Sequence, residues 1–302
     1  MFASVFSRPG VAKGAALVSL GSLGLSIFSP SRSEGQGVAV EKSGKQNVKK
    51  LREEFRIKTL RRELLCFRAD EVEMRKRWER DEVENFRRLP ARAWPAYQPS
   101  SEEVPGIQSD MEENNCTEFD VESKKTGTIT HKCAKIAFDL GVALVFNNID
   151  VDSGLHIFSK LGNAGYADGM VAMGIVLVEG FGVEQKEEEG VQWLIRACEA
   201  GNPQGFYEYG TALYGGLDDV LEEDEEKAFY YFKKASEHNH VGAQFMAADC
   251  MLEGIGVKNE SMEELENNIK EAIPLLSSAA EQGHRYARQR MRELLDESKQ
   301  KL

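Results

Sequence analysis

The sequence predicts an all-α protein whose C-terminal part is an α-solenoid of two-helix repeats, preceded by a long charged helix and a targeting segment. Three observations carry this. Similar segments recur in the second half: Ala197-Cys198-Glu199-Ala200-Gly201 aligns with Ala235-Ser236-Glu237-His238-Asn239 and with Ala279-Ala280-Glu281-Gln282-Gly283, at spacings of 38 and 44 residues. Upstream, Ala164-Gly165 lies 36 residues before Ala200-Gly201. Between Val48 and Arg88 there is neither Pro nor Gly, and Glu, Arg, Lys and Leu dominate, which is helix-forming composition.

Taken in order, residues 1–34 read as a targeting segment. They carry Arg8, Lys13 and Arg32, no acid before Glu34, many Ser, Ala and Gly, and an apolar run over Ala15–Phe28. That composition suits organellar import, mitochondrial first. Plastid import, a secretory signal and an uncleaved anchor are the alternatives. The anchor reading also allows membrane association through the N-terminus, although the run is shorter than the roughly 20 apolar residues a span needs.

Residues 35–47 are polar and Gly/Ser-containing and are expected as a disordered linker. Residues 48–89 are expected as one charged helix with a narrow stripe of Leu51, Phe55, Leu60, Leu64, Phe67, Met74, Trp78 and Phe86. Either it is a solvated helix held by charge pairs such as Glu73–Arg77, or it docks its aromatic stripe on a partner or on the solenoid. Leu89-Pro90 ends it. Residues 90–128 form a linker: first an extended strap with Pro90, Pro95, Pro99 and Pro105 around Trp94 and Tyr97, then a polar, acidic stretch from 106 expected to be poorly ordered.

Residues 129–302 hold the solenoid. First helices align Met173-Gly174 with Tyr209-Gly210 and Ala247-Ala248, and Leu177 with Leu213 and Met251. Gly180, Gly216 and Gly254 share one loop column, and Gly182 and Gly256 another, where the second unit has Asp218. Second helices align Gly190, Ala228 and Ala272, then Leu194, Phe232 and Leu276. Small residues at Gly174, Gly210 and Ala248 and at Gly190 let the helices of a hairpin approach closely. The large residues are expected to fill the gap to the next hairpin. The loops at 218–226 and 258–270 are expected as insertions. A degenerate unit precedes the three: Gly141-Val142-Ala143-Leu144 is similar to Gly174-Ile175-Val176-Leu177, and Gly154-Leu155 to Gly190-Val191. His284–Leu295 starts like another first helix and turns charged, as a capping helix does.

These columns resemble Sel-one-like repeats, relatives of tetratricopeptide repeats. Gly169–Val183 with Val191–Gly201, including Gly180-Phe181-Gly182-Val183 and Trp193, is the best match, and Ala243–Val257 with Ala272–Gly283 the next. The resemblance implies a non-catalytic scaffold, adaptor or assembly factor that binds partner polypeptides on the concave face. A structural subunit of a large mitochondrial membrane complex or ribosome, or an endoplasmic-reticulum quality-control adaptor, are the alternatives. Carried over by column, the concave positions are Asp168, Val171 and Ile175, then Gln204, Tyr207, Thr211 and Tyr214, then Phe245 and Asp249. Apolar and aromatic with acidic points, they would suit an amphipathic or basic segment, or else contact the neighbouring hairpin or the chain's own N-terminal helix.

Charge divides the chain. Residues 41–92 hold 17 Lys/Arg against 11 Asp/Glu, and residues 93–302 hold 18 against 38. A basic front and an acidic body suggest parts with different partners. The acidic body would repel a phosphate backbone, so nucleic acid is not expected there. No catalytic constellation, cofactor or metal site is read. His238-Asn239-His240 lacks further ligands at metal spacing, and no phosphate-cradling loop or nucleophile elbow occurs. Cys66, Cys116, Cys133, Cys198 and Cys250 are read mainly as reduced apolar residues, with a Cys116–Cys133 bridge as the alternative.

Overall fold

The structure, a computed structural model, describes residues 34–69, 71–85, 99–114, 116 and 131–299. Residues 1–33, which carry the expected targeting segment, lie outside the described residues, as do Phe86 and the expected strap around Trp94 and Tyr97. Among those described, regular structure is helical, with one isolated antiparallel bridge between Leu217 and Leu221.

The N-terminal helices are α1 (Glu34–Glu63), α2 (Leu65–Ala69) and α3 (Glu71–Asn85). Two expectations change here. Residues 35–47 are helical, not a linker: once α1 is anchored further on, each added residue costs little and gains a backbone bond. The expected single helix is a chain of segments, interrupted at Leu64, whose amide nonetheless bonds the Leu60 carbonyl at 2.9 Å.

A short helix, α4 (Val104–Glu113), follows, with Pro at its first turn. It corrects the expectation of disorder from residue 106. Val104 and Met111 turn inward onto the core of the first hairpin. A disulfide joins Cys116, just beyond α4, to Cys133, with a Cα–Cα distance of 5.4 Å. The reading of these two as reduced thiols is therefore corrected, while Cys198 and Cys250 are free.

The solenoid is a run of helical hairpins: α5 (His131–Phe146) with α6 (Val151–Asn163), α7 (Ala167–Glu179) with α8 (Glu187–Glu199), α9 (Pro203–Gly215) with α10 (Glu225–Glu237), and α11 (Val241–Glu253) with α12 (Met262–Glu281). The last first-helix is α13 (Arg285–Glu297). The two helices of each hairpin pack on each other, and each second helix packs on the first helix of the next unit. The degenerate first unit is thus a true hairpin.

Within each hairpin the large residue of the second helix lies on the small residue of the first. A Cβ added to Gly141, Gly174 or Gly210 would come within 2.6 Å of Phe158, 2.6 Å of Leu194 or 2.9 Å of Phe232. These large side chains meet the small residues of their own hairpin, and Phe158 and Phe232 also share a core cluster with the first helix of the next unit. Gly190 closes the same contact from the other side, since its Cβ would sit 2.9 Å from the Gly174 carbonyl oxygen and from the Val178 amide. Gly180 and Gly254 end α7 and α11. Gly256, at φ +64°, brings the third loop against the Glu225 carbonyl at the start of α10, where a side chain would collide.

The stretch at 258–270 is mostly not a loop. A capping box of Ser261 and Glu264 starts α12 at Met262 and adds turns to its N-terminal end. Those turns present Leu265 and Ile269, both fully buried, to Leu60, Leu64 and Trp78 of the N-terminal helices. Met291, Leu294 and Leu295 of α13 complete this cluster. The end of the array is therefore sealed by the chain's own N-terminal helices, and not by the charge of α13 alone.

The basic front and the acidic body consequently meet each other. Arg56 pairs with Glu297 at 2.6 Å, Arg62 with Glu266 at 2.9 Å, Arg75 with Asp296 at 2.9 Å, and Lys299 with Glu71 at 2.7 Å. Arg61 donates to the Ser298 carbonyl at 2.7 Å and Arg52 to the Glu260 carbonyl at 2.9 Å. The exposed pairs contribute about 0–1 kcal/mol each, and Arg56–Glu297 is part-buried. Burying Ile57, Leu60, Leu64 and Trp78, at roughly 1.5–3 kcal/mol apiece, supplies most of the attachment, and the charges select its register.

Candidate partner-binding wall

The residues just before α9, α11 and α13 cap these first helices with their side chains. Asn202 accepts from the Gly205 amide at 3.0 Å, His240 Nδ1 from Ala243 at 3.1 Å, and His284 Nδ1 from Ala287 at 3.2 Å. Each cap also meets the preceding first helix. Tyr166 lies against Phe138 at 5.9 Å between ring centroids. Asn202 donates to Asp168 at 2.8 Å. His240 stacks on Tyr207 at 4.6 Å, and His284 on Phe245 at 4.8 Å. Because His240 Nδ1 is an acceptor, its Nε2 carries the proton and donates to Gln204 Oε1 at 2.7 Å. Burial, helped by the neighbouring His284, pushes His240 down to about 4, and burial pushes His284 down to about 4. Both rings are neutral caps near pH 7.

This ladder decides the fate of the nine predicted positions. Val171 and Ile175 are buried in the core of the first units and present nothing to a partner. Gln204 is also buried, between Glu208, to which it donates at 2.7 Å, and His240. Tyr207 and Phe245 are half-buried and committed to the histidine caps; burial raises the Tyr207 phenol to about 12. Asp168 is held by Asn202. Asp249 pairs with Arg290 at 3.1 Å, and burial raises its carboxyl against the opposing effect of that guanidinium. Thr211 donates to the Tyr207 carbonyl at 2.9 Å and stays half-buried, as does Tyr214. The structure brings these residues together as inter-repeat contacts. Thr211, Tyr214, Asp168 and Asp249 keep part of their surface open beside Glu208.

Sequence reasoning missed the caps. The signal was the polar residue recurring at Asn202, His240 and His284, one position before each first helix. His238 and His240 do not converge, since His238 is exposed at the end of α10 while both ring nitrogens of His240 are engaged. Among the described residues no group of three or more His, Cys, Asp or Glu gathers in metal-holding geometry, and no helix is long and apolar enough to cross a membrane.

Stacked hairpins with a continuous core define an α-solenoid. Residues 167–202, 207–240 and 241–284 match the Sel1 repeat family. The chain carries three Sel1 repeats, with the α5/α6 hairpin preceding the matched residues. A Sel1 repeat protein from Oxalobacter formigenes is similar, with 24% identity over 46% of this chain and 97% of that one, at a TM-score of 0.39. So is c5321, a protective antigen present in uropathogenic Escherichia coli strains displaying an SLR fold: 22% identity, 61% of this chain, 34% of that one, TM-score 0.46. Sel1 repeat proteins generally mediate protein–protein interaction, and the repeat is typically a non-catalytic scaffold.

Proposed function

We propose that the protein is a non-catalytic adaptor or assembly factor of an organelle, the mitochondrion first, that holds a basic or amphipathic polypeptide segment along the first-helix wall. The observation that carries this reading is the composition of the first-helix residues that stay half-exposed: Thr211, Tyr214 and Glu208 on α9, with Asp168 on α7 and Asp249 on α11. Aromatic and hydroxyl groups give contact area and hydrogen bonds, and the carboxylates favour a cationic ligand. The Cys116–Cys133 bond favours an oxidising compartment. In a mitochondrion this points to the intermembrane side, and it also supports the second reading, an adaptor in the endoplasmic reticulum.

Proximity labelling in the native cell, with the wild type beside a Thr211→Arg/Tyr214→Ala variant, tests the proposal. The expected result is a mitochondrial neighbour set that loses its most strongly labelled members in the variant while helix content is unchanged. An identical set for both proteins would count against the wall. Labelling confined to the endoplasmic reticulum would replace the first reading with the second.

A further inference from the structure

The contact between α4 and the first hairpin belongs to no repeat. α4 lies on α5, with Val104 and Met111 buried and Ile107 packed beside them, against the cluster holding Ala134, Phe138 and Leu140. Hydrogen bonds add to this at both ends. Asn147 donates to the Pro99 carbonyl at 2.8 Å, and Lys132 donates to Asn114 at 2.7 Å. The Cys116 amide bonds the Met111 carbonyl at 2.8 Å, which folds the chain back from the end of α4 toward Cys133 at the start of α5. A ten-residue helix with two buried side chains does not hold itself in place. The covalent tie sits at the point where the chain would otherwise leave.

We propose that the Cys116–Cys133 disulfide is a redox-set clasp: oxidised, it holds α4 over α5, and reduced, it lets α4 leave and uncovers the apolar flank at the N-terminal end of the array. The reductant is a thiol of the glutathione class. Two thiols each give one electron and one proton, the Cys116–Cys133 S–S bond breaks to two cysteine thiols, and the two donors join as their own disulfide. Exchange to Cys198 or Cys250 does not compete. Cys250 is buried and Cys198 half-buried, and burial raises both thiols to about 12, so neither supplies a thiolate near neutral pH.

The test is hydrogen exchange by mass spectrometry on the full chain, oxidised and after treatment with glutathione, with a Cys116→Ser/Cys133→Ser variant alongside. Protection over 104–113 should fall by about tenfold or more on reduction, and equally in the untreated variant, while peptides from α7 to α12 keep theirs. Equal protection of 104–113 in all three samples overturns the clasp, because α4 would then be held without the bond. Loss of protection throughout the array also overturns it, because the bond would then support the whole solenoid.

Discussion

The residues that decide this fold are those where size is dictated by a neighbour's backbone. Gly190 faces the Gly174 carbonyl and the Val178 amide, neither of which can swing aside. Gly190→Ala is expected to cost about 1–3 kcal/mol through forced separation of α7 and α8, read as a lowered thermal midpoint with unchanged helix content at low temperature. The histidine caps are the second such case. Their folded-state values of about 4 lie below the ordinary 6.5, so the unfolded chain takes up protons first as pH falls. Their stabilisation is complete above pH 6.5 and is lost progressively from there to about 4, by roughly 1–3 kcal/mol per ring. His240→Asn/His284→Asn keeps a cap acceptor without the titration. Urea unfolding at pH 7 and pH 4.5 should show a smaller acid loss in the variant than in the wild type; equal losses would place the acid sensitivity elsewhere.

At the scale of elements, the informative pairing is α1 with the start of α12. The longer α12 reads in sequence as a stretched loop because its first turns are acidic and Asn-rich. In the folded chain it buries Leu265 and Ile269 only because Leu60 and Leu64 cover them. Removing residues through 85 should therefore fray 262–270 and expose Met291, Leu294 and Leu295. Hydrogen exchange should accelerate there and not in α7–α10, and size-exclusion should show self-association. A truncated chain that stays monomeric with 262–270 protected would mean that α12 keeps its own N-terminal turns.

For the whole molecule, charge and connectivity act together. Residues 93–302 carry 38 carboxylates against 18 cations, and the basic N-terminal helices neutralise only the end they cover. The wall between α7 and α11 keeps its anionic points. Capture of a basic segment there should weaken as salt rises from about 50 to 300 mM, across the range where the Debye length shrinks below the spacing of surface charges. Capture that is indifferent to salt would favour an apolar ligand. Units touch only their neighbours, so damage at Gly190 should stay largely within adjacent hairpins.

The hairpin array was legible because its signal is local and repeated. Gly141, Gly174 and Gly210 recur in register with Phe158, Leu194 and Phe232, and a helix pair that must pack closely demands small opposite large wherever it occurs. The predicted wall was not fully legible: Val171, Ile175 and Gln204 are buried, because burial depends on what the neighbouring helices place opposite. The Cys116–Cys133 bond, the order of α4 and the docking of α1 join segments distant in sequence with no period to mark them. By itself, then, the sequence determined that helices would pair and stack, since that follows from spacing along one chain. Only the tertiary structure decided which ends are covered and which side chains stay open, since those depend on distances between residues that the spacing does not encode.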